Sequence, residues 1–172
     1  MAVFAKPVKR LARAAGVSLT RHPAPNTLER HLKDVIRQLR INCVLDVGAH
    51  EGAYARLLRD EVGFTGHIAS FEPAGHSYAR LVASRKGDQG WRGYRYALGR
   101  EHRPGRLNLY GKSQLNSLLA PSSYGIGLFP SLADADATEA VEVRRLAEVF
   151  DEVTAAAAAP RVLLKIDTQG FD

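Results

Sequence analysis

The 172-residue sequence holds a single cysteine, Cys43, which excludes an internal disulfide and a cysteine-rich zinc site. No apolar run approaches the roughly 20 residues needed to span a bilayer. The opening segment, MAVFAKPVKRLARAAGVSL, begins with charge but lacks the apolar block and cleavage site of a secretory signal. The histidines at 22, 31, 67, 76 and 102 have no ligand-like spacing, so no metal site is expected. Repeats are lacking as well. These absences point to a soluble, reducing compartment, with a cytoplasmic location as the expectation.

With 45% hydrophobic and 24% charged residues, the chain is globular rather than disordered or fibrous. Its length suits one domain burying roughly 70% of its unfolded surface. The net charge of +6 is uneven: residues 1–43 carry nine Lys/Arg against Glu29 and Asp34, and the remainder carries fifteen against sixteen acids. Such a basic arm can meet nucleic acid or an anionic membrane surface. It has no interleaved aromatics for base stacking, and a solvated arm is the favoured reading.

A short basic helix is expected at 6–15, followed by a break at Pro23 and Pro25. Thr27 or Asn26 then caps a helix to about Arg40, with Leu28, Leu32, Val35, Ile36 and Leu39 on one stripe. The run 41–49, INCVLDVGA, reads as a strand buried on both faces. A helix from Gly52 to about Asp60, a strand at 67–73 and a helix at 75–86 follow. Strands are expected near 91–98 and 104–110, then a long polar loop at 111–138. A strand at 140–146, a short helix, the Ala155–Ala159 linker and a buried strand at 161–167 complete the pattern. This alternation specifies an α/β fold with a doubly wound, mainly parallel sheet. Residues 1–40 form a basic extension and helix, and 41–172 form the main domain. The chain stops five residues after Asp167, before the helix and last strands that would finish such a sheet. A domain incomplete at its C-terminus is therefore expected.

Ligands of open parallel sheets bind outside the carboxyl ends of the strands. Four clusters map there: 46–52 (DVGAHEG), 71–73 (FEP), 97–99 (ALG) and 167–170 (DTQG). A dinucleotide fingerprint counted from Gly48 needs glycine at 50 and 53, where His50 and Ala53 stand. The turn is instead D-x-G-x-x-x-G. Its carboxylate, Asp46, is unfavourable beside a pyrophosphate and favourable beside a sulfonium. Glu72, 26 residues further on, can accept both hydroxyls of a ribose. Together these features favour S-adenosylmethionine over NAD.

The segments VLDVGAHEGAYA (44–55), SFEP (70–73), YALG (96–99), NSLL (116–119), VRRLAEVF (143–150) and LLKIDTQGFD (163–172) carry a wider likeness. In this order they resemble the FkbM family of S-adenosylmethionine-dependent methyltransferases over about residues 40–172. The resemblance implies a Rossmann-like class I methyltransferase fold and methylation of a hydroxyl on a saccharide or small natural product. By this match Asp46, Gly48 and Gly52, with Ala49, His50 and Glu51 in the same turn, hold the methionine part of the cofactor. Glu72 with Pro73 takes the ribose, and Ala97 and Leu98 border the adenine. His50 stands where the family often has asparagine.

Methyl transfer requires an aligned hydroxyl and a place for its proton. Asp167 is the leading candidate base; holding the cofactor amino group or orienting the acceptor are its alternatives. Lys165, two residues earlier on the same strand face, can pair with that carboxylate or an acidic substrate, or form a structural ion pair. His50 can act as a base, or fill the turn and bond the backbone. Asn116 and Ser117 can contact the acceptor or stabilise a turn. Between 80 and 112, nine Lys/Arg face only Asp88 and Glu101, which suits an anionic acceptor or a solvated face. Cys43, Trp91, Tyr94 and Tyr96 read as packing groups. The rival functions are an NAD-dependent oxidoreductase of Rossmann type and a truncated, non-catalytic cofactor-binding remnant.

Overall fold

The computed structural model describes residues 27–133, 135–169 and 171. The basic helix at 6–15, the proline break at 21–26, Asn26 and Gly170 lie outside them. Thr27 opens helix α1 (Leu28–Gln38), its hydroxyl accepting from Arg30 N at 3.4 Å. The apolar stripe of α1 is only partly used. Leu32 is buried among Leu58, Val62 and Phe64, whereas Leu28 and Leu39 at the two ends are exposed.

Strand β1 (Cys43–Val47) is buried at all five positions, as its unbroken apolar character requires. Helix α2 (Ala53–Arg56) continues as a wider π-helical segment, Leu57–Val62, slightly longer than the sequence pattern indicated. Strand β2 (His67–Phe71) and helix α3 (Gly75–Ser84) match their expected positions.

The expected strand at 91–98 is in fact two. Strand β3 (Trp91–Tyr94) pairs with β2, while β4 (Ala97–Leu98) belongs to a second sheet. The change follows the end of β2: Glu72 N donates to Tyr94 O at 3.1 Å, and no further β2 strand residue faces Arg95. Tyr94 and Tyr96 still pack on one side, with ring centroids 5.3 and 5.6 Å from Phe71. They serve as packing groups.

Strand β5 (Arg103–Leu109) runs antiparallel to β6 (Ala137–Arg144). Between them, the long loop contains a 3-10 turn (Ser113–Leu115), helix α4 (Ser123–Leu128) and a second 3-10 turn (Pro130–Leu132). Helix α5 (Leu146–Thr154) and strand β7 (Val162–Ile166) follow.

The main sheet has the order β3-β2-β1-β7, with every pairing parallel; the smaller sheet has the order β4-β6-β5. Cys43, Leu45 and Val47 face α5 through Val149 and Val153, whereas Val44 faces α1 and α2. This is the doubly wound α/β arrangement the alternating pattern specified. Strand β7 differs from expectation: among the described residues it pairs with β1 alone, and Leu164 and Ile166 are exposed.

Candidate active site

The turn after β1 is built from backbone constraints. Gly48 N and Ala49 N both donate to Phe71 O, at 3.1 and 3.0 Å. Gly48 takes a φ of 71°, and any Cβ there would collide with the Asp167 carbonyl. Glycine is thus demanded both by conformation and by the close approach of the chain leaving β7. Gly52, with φ 83°, starts α2; a Cβ there would press on the Leu81 and Ser84 side chains.

His50 is left-handed without being glycine, at φ 49°. Its backbone N–H donates to Glu72 Oε2 at 2.9 Å, and its Nε2 lies 2.8 Å from Ser113 Oγ in the long loop. One residue therefore joins the β1 turn, the end of β2 and the roof over them.

Glu72 is buried and clamped, with Oε1 accepting from Ala74 N and Oε2 from His50 N, both at 2.9 Å. Burial pushes its carboxyl up, outweighing the two N–H donors and the nearby Lys165 charge; Asp46 adds to the rise. Each oxygen keeps a second lone pair, so a fixed carboxylate can still accept from a ligand.

Asp46 is fully buried and faces the α2 side, like Val44. Across the β1–β7 pairing it meets Lys165, whose Nζ is 3.0 Å from Asp46 Oδ1. The ammonium also donates to Val47 O at 3.2 Å and Gly48 O at 2.9 Å. Lys165 and Ser70 are the groups that steady the Asp46 carboxylate from within the protein. Burial pushes the Asp46 carboxyl up, opposed by Lys165 and reinforced by Asp167.

Above this pair lies a cavity of about 160 Å³. Gly48, His50, Glu72 and Pro73 form one wall, Ala97 and Leu98 a second, and Asn116 part of the roof, with Asp167 at the end of β7. These eight candidates come together. The others sit around the cavity. Asp46 and Lys165 lie beneath its turn, and Ala49 is buried within that turn. Gly52 packs on α3, and Glu51 turns outward to Arg80, 2.9 Å away. Ser117 pairs through its backbone with Asn108 and faces a neighbouring cavity. Lys165 pairs with Asp46, where the sequence offered Asp167 as its carboxylate partner.

Leu107, Ser113, Gln114, Leu118 and Phe171 also line the cavity, and none was singled out from the sequence. Only the length and polarity of the 111–138 loop hinted at Ser113 and Gln114. Several cations of the basic 80–112 stretch are matched by acids, as in Arg80–Glu51, Arg95–Glu139 and Arg103–Glu101. Among the described residues no cluster of three His, Cys, Asp or Glu side chains is arranged to hold a metal. No helix among them is long and apolar enough to cross a membrane.

A parallel sheet wound through helices, with its cavity at the carboxyl edge of β1 and β2, has the Rossmann-like methyltransferase architecture. Residues 46–172 match the Methyltransferase FkbM domain, and the chain belongs to this family of methyltransferases. No curated protein gives a significant match to the chain.

Proposed function

We propose that the chain is an S-adenosylmethionine-dependent methyltransferase acting on the hydroxyl of a saccharide or small natural product. One observation carries this reading: a glycine turn without room for a Cβ, a clamped buried Glu72 and a buried Asp46 paired with Lys165 converge at one strand edge.

The residues fit the cofactor. Glu72 offers two oriented oxygens for ribose hydroxyls, and Ala97 and Leu98 give an apolar border for a purine. Gly48 allows close backbone approach, and Asp46 places negative charge below the turn. When bound, S-adenosylmethionine supplies an electrophilic methyl group on a positive sulfur. Asp167, at the cavity, accepts the acceptor's hydroxyl proton. Lys165 holds Asp46 and two turn carbonyls in place. Ser113, Gln114 and Leu118 cover the cavity and limit water entry.

Calorimetric titration with S-adenosylhomocysteine, with NAD as control, tests the reading. Binding of the former alone is expected, and Glu72→Ala is expected to weaken it by about 1–3 kcal/mol, the scale of lost hydrogen bonds to a charged group. Preferential binding of NAD would overturn the proposal in favour of an oxidoreductase.

A further inference from the structure

Next to the candidate cofactor cavity lies a second, half-open one of about 290 Å³, lined mainly by the long loop. Gln169 lines both. Its left-handed backbone, φ 54°, follows directly on Asp167-Thr168, and its Nε2 is 3.5 Å from Asp167 Oδ1. The residue shared by the two cavities therefore stands beside the Asp167 carboxylate.

The lining of the second cavity is specific in character. Leu115, Leu119 and Leu132 supply apolar surface, while Ser117, Ser122 and Gln169 supply neutral polar groups. Ser117 Oγ accepts from Leu119 N at 3.1 Å, which orients the hydroxyl and leaves its proton to donate. Among the described residues that line it there is no Lys, Arg, His, Asp or Glu. An ionised group set against this lining would gain no counter-charge for whatever water it gives up. The volume falls just below the roughly 300–1,000 Å³ of drug-sized pockets, which suits a small molecule.

We infer that this second cavity is the methyl-acceptor site and that it takes a small uncharged molecule carrying a hydroxyl on an apolar body. The inference rests on the methyltransferase reading above and narrows its acceptor. It turns the basic 80–112 stretch away from substrate recognition, and it assigns Ser117 and Gln169 as acceptor contacts.

The test uses the full chain saturated with S-adenosylhomocysteine and three probes of one size: benzyl alcohol, benzoate and benzylamine. Ligand-observed NMR titration is expected to show the alcohol binding at least tenfold more tightly than either ion. Ala120→Trp and Leu132→Trp, which fill the cavity from surface loops, are expected to weaken the alcohol at least tenfold. Both should keep the circular dichroism spectrum and the S-adenosylhomocysteine affinity of the parent. An ion binding as tightly as the alcohol, or folded filling variants with parental alcohol affinity, would overturn the inference alone. A parent chain that fails to bind S-adenosylhomocysteine would overturn the underlying reading with it.

Discussion

Lys165 Nζ stands 3.0 Å from Asp46 Oδ1 across two adjacent parallel strands, and the same ammonium holds the carbonyls of Val47 and Gly48. The charge beneath the glycine turn is thus a balanced pair, not an isolated acid. Removing one member of a buried pair leaves the other uncompensated, which costs about 3–5 kcal/mol. Lys165→Met is expected to cost this much in chemical denaturation. Adding Asp46→Asn to that variant should restore much of the loss, while S-adenosylmethionine affinity stays low.

The pair also sets a pH dependence. Burial, the largest influence, raises the Asp46 carboxyl above its ordinary 3.8, although Lys165 pulls the other way. A raised folded value means that the native state holds this proton more tightly than the unfolded chain. Stability from this group alone therefore increases as pH falls through the folded value, and is complete below 3.8. Affinity for a sulfonium moves oppositely, because protonation removes the negative charge. Calorimetry across the acid range should show S-adenosylmethionine weakening more steeply than the uncharged-sulfur product S-adenosylhomocysteine.

Gly48→Ala and Gly52→Ala differ in what they strike. At Gly48 the new methyl meets backbone, the Asp167 carbonyl, while at Gly52 it meets the ends of Leu81 and Ser84 side chains. Both positions carry positive φ. We expect about 2–5 kcal/mol of destabilisation for Gly48→Ala and about 1–2 kcal/mol for Gly52→Ala, measured by urea denaturation. The Gly48 variant should also lose cofactor binding.

The 2.8 Å contact of His50 Nε2 with Ser113 Oγ ties the roof loop to the β1 turn. Ser113→Ala should release that tie without emptying the cavity. A coupling of about 0.5–1.5 kcal/mol in a double-mutant cycle with His50→Ala is expected, read as faster S-adenosylhomocysteine dissociation. Additive effects would mean that the two side chains act independently.

Arg59 is a structural hub away from the site. It binds Asp88 through two nitrogens, at 2.9 and 3.2 Å, and donates to the carbonyls of Phe64 and Gly66. Burial favours a raised Asp88 value, but the Arg59 hydrogen bonds and charge outweigh it and hold the carboxyl below 3.8. Its contribution to stability is present above 3.8 and is lost as pH falls through the folded value. Arg59→Ala should cost about 2–4 kcal/mol and flatten that acid limb of the stability profile.

Much of this architecture is legible in the chain because its signals are local. The apolar run of β1 broken by Asp46, the glycine turn and the acid after β2 need only nearest neighbours to be read. The same locality explains the errors. Trp91 to Leu98 reads as one strand because its residues suit a pleat throughout, but β2 ends opposite Tyr94 and the chain must find a new partner in β6. Leu164 and Ile166 read as buried because hydrophobicity does not reveal strand partners; among the described residues β7 pairs with β1 alone.

The sequence by itself determined the order of strands and helices, the conformation demanded at the turn and the acids available at the strand ends. Tertiary structure alone decided which groups meet. Lys165 reaches Asp46 because parallel pairing aligns β1 and β7, Ser113 reaches His50 because the second sheet carries its loop over the cavity, and Gln169 joins two cavities because β7 delivers it between them. The His50–Ser113 contact alone spans 63 residues of chain, and only packing of the whole domain brings such distant segments into register.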